Sequence, residues 1–512
     1  MSTSENNKRI AKNTMMLYIR MLLVMGVTLY TSRVVLNILG VEDFGIYNVV
    51  GGTIAMLGFL NASMSISVQR FLSFELGKNN QKNLRDIFNT SLIAHITIAL
   101  IVLILAETIG LWFIKEYLNV PRSRADAVFW VYQFSILTCL CTIIQVPYNA
   151  IIIANERMNM YAYISIVEVV LKLVIVFILL ISESDKLVLY AMLNLFISLI
   201  ISAFYIFYCI RSFKESHFQC ILNKRLLKSM ISFASWSMLG ESSWIITLQG
   251  VNLLLNIFFN PTVNAARGIS YQISGAISRF SINFQMAVKP QIIKRYASKE
   301  LDDMFDLTFQ STCLSFYLLL FLSLPILLET EQILKIWLGI VPDYTVTFSR
   351  LVIVTSLIDV LASLLSTIAS ATGKIRRYYS ITSLVLMLNF PVSYLMLKLG
   401  GTPESTLYIY GGISAVLLMI RLSLLKQLIS LSITDFFKKV LFRITKVSLL
   451  AIIIPIAFHL LIPIGIGRLL GCILVSVISV SLSVYLIGLQ PGERLLVISY
   501  IKKLRIKRSK NA

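Results

Sequence analysis

Apolar residues run in long stretches along this chain, and the connections between them are short and polar. A membrane-spanning helix needs about 20 predominantly apolar residues. Fourteen stretches meet that length, near 13–38, 44–69, 88–114, 126–153, 160–181, 187–210 and 229–259 in the first half. The others lie near 263–288, 306–328, 346–371, 379–398, 405–425, 440–461 and 466–489. Runs this long predict helices, so an all-α polytopic membrane protein with about 14 transmembrane helices is expected. Residues 1–12 are polar (MSTSENNKRIAK), and no cleavable signal peptide is expected.

Composition sharpens this picture. Of 512 residues, 57% are hydrophobic and 14% charged, with a mean hydropathy of +0.81. A soluble domain carries about 25% charged residues. An ordinary cytosolic enzyme and a disordered chain are both excluded. The net charge of +21 is explained by where the cations fall. With the N-terminus in the cytoplasm, the inside connections and termini hold 33 Lys and Arg, and the outside connections hold 7. That bias is the positive-inside pattern, with both termini cytoplasmic. Nucleic acid is therefore not an expected partner. The basic tail Lys502, Lys503, Arg505, Lys507, Arg508 and Lys510 is expected on the anionic inner leaflet.

Catalytic signatures are missing. The longest connections, about 329–345 outside and 211–228 inside, leave no room for a soluble catalytic domain. Ala371-Thr372-Gly373-Lys374 lacks the upstream glycine of a phosphate loop, and there is no HExxH or GxSxG. The six cysteines have no disulfide or zinc-site spacing and read as small apolar residues. His95, His217 and His459 are far apart. Gly465-x-Gly467-x-x-x-Gly471 reads as helix packing. An enzyme is not expected, nor a cofactor.

Ionisable residues within the spans carry the functional signal, because each costs about 2.5–3.5 kcal/mol at mid-bilayer on insertion scales. The first span holds Arg20 and Arg33, the fifth Glu168 and Lys172, the seventh Glu241, the eighth Arg267 and Arg279, and the tenth Asp359. On the eighth span Asn264, Arg267, Tyr271, Ser274, Ser278, Ser281 and Gln285 recur every three or four residues, which is one helix face. Such a stripe implies a water-filled cavity or a hydrogen-bonded seam between helices. The seventh span repeats the pattern with Ser235, Ser242, Gln249 and Asn256, and the tenth carries Ser356, Ser363 and Ser370. Glu168 and Lys172, four apart, are expected to neutralise each other. Arg33 has Glu42 and Asp43 nearby as rim partners. Arg267 is close enough to the outer end to snorkel, whereas Arg279 is too deep. Arginine suits an anionic passenger, since its guanidinium matches phosphate and keeps its charge. Glu241 and Asp359 are candidates to bind a coupling proton or sodium ion, or to hold an arginine.

Four stretches carry a family resemblance: Leu39-Gly40-Val41-Glu42-Asp43-Phe44-Gly45-Ile46-Tyr47, Val263-Asn264-Ala265-Ala266-Arg267-Gly268, Ile336-Trp337-Leu338-Gly339 and Ala371-Thr372-Gly373-Lys374. With the span count, they make the chain resemble the Wzx-type polysaccharide (O-antigen) flippases of the multidrug/oligosaccharidyl-lipid/polysaccharide exporter superfamily. The resemblance implies two six-helix lobes in a V, residues 1–212 and 213–430. It also implies two extra C-terminal helices at 431–489, followed by the basic cytoplasmic tail 490–512. Spans 1, 2, 7 and 8 would line a cationic cavity. Arg20, Arg33, Arg267 and Arg279 would meet the pyrophosphate or acidic sugars of the passenger, with Tyr271, Ser278 and Gln249 beside them.

The function expected is a flippase of the bacterial inner membrane. It would move undecaprenyl-pyrophosphate-linked oligosaccharide repeat units by alternating access, for surface polysaccharide biosynthesis. Membrane lipids, and a glycan polymerase or glycosyltransferases, are the candidate partners. The chief alternative is a cation-coupled multidrug antiporter of the same fold. A glycan-polymerising membrane enzyme and a non-transporting scaffold are the rivals from other classes.

Overall fold

A computed structural model of the chain describes residues 3–57, 59–112, 114, 124–259, 261–489 and 494. Among them there are helices and connections but no strand. The helices are α1 (Thr3–Leu57), α2 (Phe59–Gly77), α3 (Gln81–Gly110), α4 (Ala125–Ala154), α5 (Met158–Ile181), α6 (Lys186–Ser212), α7 (Lys224–Phe258) and α8 (Pro261–Ala297). They continue as α9 (Leu301–Leu328), α10 (Thr330–Leu338), α11 (Thr345–Thr372), α12 (Arg376–Lys398), α13 (Ser405–Ile429), α14 (Ile433–Leu461) and α15 (Ile466–Gly488).

Among the described residues, each of the fourteen predicted spans is helical, the second continuing from α1 into α2. The first two share α1, which is broken at Gly40 (φ 77°, ψ 169°). No atom lies within 4 Å of where a Cβ would sit there, so backbone conformation rather than space requires glycine. Among the described residues, eleven helices are long and apolar enough to cross a membrane on length and composition alone. The predicted spans outside that set are the second, seventh and eighth. Their apolar runs are interrupted by Asn61, Ser65 and Gln69, by the polar residues of α7, and by the stripe of α8. The 329–345 connection contains α10, whose Ile336 and Trp337 are exposed along with Ile340 just beyond it. Its Lys335 ammonium, 2.7 Å from Glu331, holds that carboxyl below the usual range.

The chain forms two compact units. The first comprises Met1–Glu241, Met286–Glu300 and Ser370–Arg376. In it α4 packs on α6, α3 and α2, and α1 packs on α5. Its core centres on Val68, Leu72, Phe88, Ile151, Ile152, Leu179 and Cys209. Lipid tails are as apolar as leucine, so packing fit and polar contacts rather than water exclusion hold such helices together. Ser67 Oγ accordingly donates to the Met230 carbonyl at 3.0 Å, and Gly77 lies so close to Lys294 that a Cβ would meet its carbonyl at 2.5 Å.

The second unit comprises Ser242–Gln285, Leu301–Ala369 and Arg377–Ala512. Here α9 packs against α14 and α15, which also pack on each other. Small residues again mark close approaches. A Cβ on Gly250 would lie 2.6 Å from the Phe390 ring, and one on Gly471 would lie 2.4 Å from Phe458. Of the glycines in the Gly465–Gly471 run, only Gly471 packs in this way; Gly465 and Gly467 have nothing within 4 Å.

Candidate functional site

The stripe on α8 faces α11 and α9 in the second unit. Ser270 Oγ lies 3.0 Å from Ser349 Oγ, and Ser274 Oγ lies 2.6 Å from Ser356 Oγ. Ser363 Oγ donates to Gln285 Oε1 at 2.6 Å, and Ser281 Oγ to the Ser315 carbonyl at 2.8 Å. The seam thus runs along about four turns of α8. It borders an open cavity of about 300 Å³, lined among others by Tyr271, Ser278, Thr355, Asp359 and Tyr410 and by the apolar Ile282 and Leu319. Cavity and seam, alternatives in the sequence, occur together. Hydroxyls suit such a seam because each both donates and accepts.

Asp359 is the carboxylate of that cavity. Tyr410 Oη donates to Asp359 Oδ2 at 2.7 Å, and the Trp244 ring sits against Tyr410 with centroids 5.9 Å apart. Neither Tyr410 nor Trp244 stood out in the sequence. Tyr410 lies on the thirteenth helix, an apolar run whose only signal is the Tyr408-Ile409-Tyr410-Gly411-Gly412 cluster.

The arginines divide into different roles. Arg267 is buried, with 3% of its surface exposed, and so does not snorkel. Its Nη1 donates to the Leu248 carbonyl at 3.0 Å and to Asn252 Oδ1, and its guanidinium lies 4.8 Å from the Tyr271 ring centroid. It ties α8 to α7. Arg279 is exposed, and its guanidinium makes no hydrogen bond or ion pair among the described residues; its carbonyl accepts from Asn283 Nδ2 at 2.8 Å. Arg20, in the first unit, is half-buried with its guanidinium 4.4 Å from the Tyr161 ring centroid. The side chain of Arg33 lies outside the described residues, as does that of Glu42. Asp43 pairs with Arg124, which also reaches Asp185. Glu168 and Lys172 pair as their spacing predicted, at 2.6 Å. Gln249 and Glu241 are exposed on α7, where Gln249 Oε1 accepts from Asn252 Nδ2 at 3.2 Å.

Two buried ionic groups in the first unit escaped the sequence reading. Glu156, in the turn between α4 and α5 with φ 59°, has a fully buried carboxylate. Arg9 and Lys294 each lie 2.7 Å from it, and Gln291 Nε2 donates to it at 3.0 Å. Arg70 is 7% exposed and pairs with no carboxylate among the described residues. Its Nε donates to the Ser370 carbonyl at 3.1 Å and its Nη2 to Ala371 at 2.9 Å, so it caps the C-terminus of α11. Phe71 and Phe74 flank it, each with its centroid 4.7 Å from the guanidinium carbon. Gly373 (φ 75°) completes the cap, since a Cβ there would meet Arg70 Nη2 at 2.7 Å. This gives a physical reason for the Ala371-Thr372-Gly373-Lys374 stretch.

Residues 10–296 match the family model described as polysaccharide biosynthesis protein. Among curated proteins, none matches the sequence significantly. Solved structures are similar in fold. An outward-facing multidrug resistance MATE family transporter of the MOP superfamily superposes with TM-score 0.71 at 13% identity, over 83% of this chain and 96% of the other. A MOP superfamily transporter from Pyrococcus furiosus, described as having a binding pocket of reverse polarity, gives TM-score 0.68 at 13% identity, over 82% and 96%. The MATE transporter ClbM in complex with Rb+ gives TM-score 0.68 at 14% identity, over 84% and 97%. At such identities the likeness concerns the fold.

Proposed function

We propose, from the premise that this chain belongs to the polysaccharide biosynthesis protein family, that it is a transporter moving lipid-linked oligosaccharide across the bacterial inner membrane. The passenger is a polyprenyl-pyrophosphate-linked repeat unit, the precursor of O-antigen or another surface polysaccharide. Residues 1–212 and 213–430 act as two lobes in alternating access, with 431–489 beside them and both termini in the cytoplasm. The MATE-like fold supports transport over catalysis.

The observation that carries the choice of passenger is the exposed, unpaired guanidinium of Arg279 on the polar helix α8. A solvated cation without a counter-charge is suited to a phosphate or an acidic sugar. Arg20 supports the same reading from the first unit, and Arg33 joins them in the sequence pattern. Arg267 acts indirectly in this scheme, by fixing α8 against α7. The Tyr271 and Ser278 side chains, with Gln249, offer hydrogen bonds to sugar.

Complementation of a flippase-deficient strain tests this, with wild type, Arg279→Lys and Arg279→Ala at matched membrane levels. Wild type is expected to restore surface glycan, Arg279→Ala to reduce it at least about tenfold, the effect of some 1.4 kcal/mol of lost binding, and Lys to rescue in part. Equal activity of all three sinks the role given to Arg279.

A second reading, a cation-coupled multidrug antiporter, is favoured by the Asp359–Tyr410 pair within a cavity whose wall combines hydroxyls with Trp244, Ile282, Leu319 and Val352. The same carboxylate serves the first reading as a proton or sodium site for coupling, with Glu241 as the other candidate. Drug sensitivity of an exporter-deficient strain separates the two. Resistance conferred by wild type and abolished by Asp359→Asn, without glycan rescue, selects the antiporter.

A further inference from the structure

Where α9 ends and α14 meets α15, the second unit buries a set of metal-ligating groups that the transport reading leaves unused. Glu329 is the N-cap residue of α10, and its carboxylate is fully shielded from solvent. His459 Nδ1, from the last turn of α14, lies 2.8 Å from Glu329 Oε1. Cys472, two turns into α15, is a buried free thiol. The ligand atoms of Glu329, His459 and Cys472 all lie within 4.8 Å of one another.

The fourth residue of the set explains its polarity. Arg468 Nη2 donates to Glu329 Oε2 at 2.9 Å. Oε1 is the other face of the carboxylate, turned toward His459. Ligating carboxylates and histidines are ordinarily held in this way by outer hydrogen bonds, which fix their orientation. The three donors also come from three different helical segments and include one nitrogen, one oxygen and one sulfur. The Cys472 thiol also bonds to this carboxylate and to Ser476, so all three ligand groups already converge on one point.

We propose that Glu329 Oε1, His459 Nδ1 and Cys472 Sγ form a binding site for a divalent transition metal, with zinc the best match. Zinc favours tetrahedral N, O and S coordination with bonds of about 2.0–2.3 Å, which sets ligand atoms about 3.3–3.7 Å apart. Side-chain rotations of about 1 Å reach that spacing, with the 2.8 Å contact between His459 and Glu329 opening and the wider gaps closing. On binding, the Cys472 thiol proton and the proton shared between His459 Nδ1 and Glu329 Oε1 leave to solvent, and the thiolate, the carboxylate and the neutral imidazole with its proton on Nε2 become ligands. Zinc and two anionic ligands are then neutral together, and Arg468 keeps its contact to the outer carboxylate oxygen. The fourth position is open to water. In the expected topology this site lies at the outer end of the spans. It cross-links α14 and α15 to the end of α9, so its role is to fasten the last two helices to the rest of their unit.

Cobalt titration of the full-length protein in detergent tests the site. One equivalent of Co2+ per chain is expected to give a thiolate-to-cobalt charge-transfer band, with visible bands intense enough for tetrahedral geometry. Stoichiometric Zn2+ should displace it. Cys472→Ser is the decisive variant because it keeps size and polarity close to native; it should abolish the charge-transfer band while the protein stays monodisperse. His459→Ala should weaken Co2+ binding at least tenfold. Absence of the band at excess Co2+ overturns the proposal, and so does a band that survives Cys472→Ser.

Discussion

Arg70 and Glu156 illustrate how single charges are kept inside a chain that is mostly apolar. Removing one partner from a buried ionic group strands the other, which costs about 3–5 kcal/mol. Glu156→Gln leaves Arg9 and Lys294 without their carboxylate; Arg9 is 37% exposed at its side chain, so the lower end, about 3 kcal/mol, is expected. Arg70→Met removes two hydrogen bonds from a charged donor, each worth about 1.5–3 kcal/mol. Arg70→Lys, a point charge without the planar fork, should recover only part. Thermal unfolding in detergent measures all three, and unchanged midpoints would refute the burial argument. The sequence revealed these residues only as charges near span ends. In the positive-inside pattern a structural arginine and a topological one look alike, and the carbonyls that Arg70 reaches come from a segment far along the chain. By contrast, Asp359 was legible because a carboxylate in the middle of an apolar run has few explanations. Its tyrosine partner was not, since the phenol comes from a helix with no polar pattern to single it out.

At the scale of the element, periodicity proved more informative than mean hydropathy. The α8 stripe was visible because polar residues spaced three or four apart share a helix face. Which neighbours it would face was not visible, because that depends on which of α11, α9 and α7 comes closest. The same polarity keeps α7 and α8 out of the set of helices apolar enough to span by composition, although both match predicted spans. Glycines on these helices separate packing from propensity. Gly250→Ala should cost about 1–3 kcal/mol, since its Cβ would overlap the Phe390 ring. Gly268→Ala, with nothing within 4 Å, should be neutral or slightly stabilising. Equal effects on the unfolding midpoint would show that α7 and α12 are not packed as described.

For the whole molecule, the cation bias predicts sidedness, and a native residue reports it. Cys220 is an exposed free cysteine in the connection between α6 and α7, which the pattern assigns to the cytoplasm. A membrane-impermeant maleimide should therefore label it in inside-out vesicles and not in intact spheroplasts, with Cys220→Ser as the control. Labelling from outside would invert the topology. The all-helical, multi-pass architecture was legible because the bilayer imposes a length on each span. The composition of the compact units was not, since nothing local marks Met286–Glu300 or Ser370–Arg376 as pieces of the first unit. That assembly from separated pieces bears on biosynthesis. Arg70 enters the membrane 300 residues before the Ser370 carbonyl that it caps. At about 5–20 residues per second, a ribosome needs about 15–60 s to supply that acceptor. Through that interval the guanidinium must be satisfied by lipid phosphate, water or an insertion factor. The first unit is thus finished only when the tenth span has been made, so a nascent chain halted before it should be a quality-control substrate rather than a half-built domain.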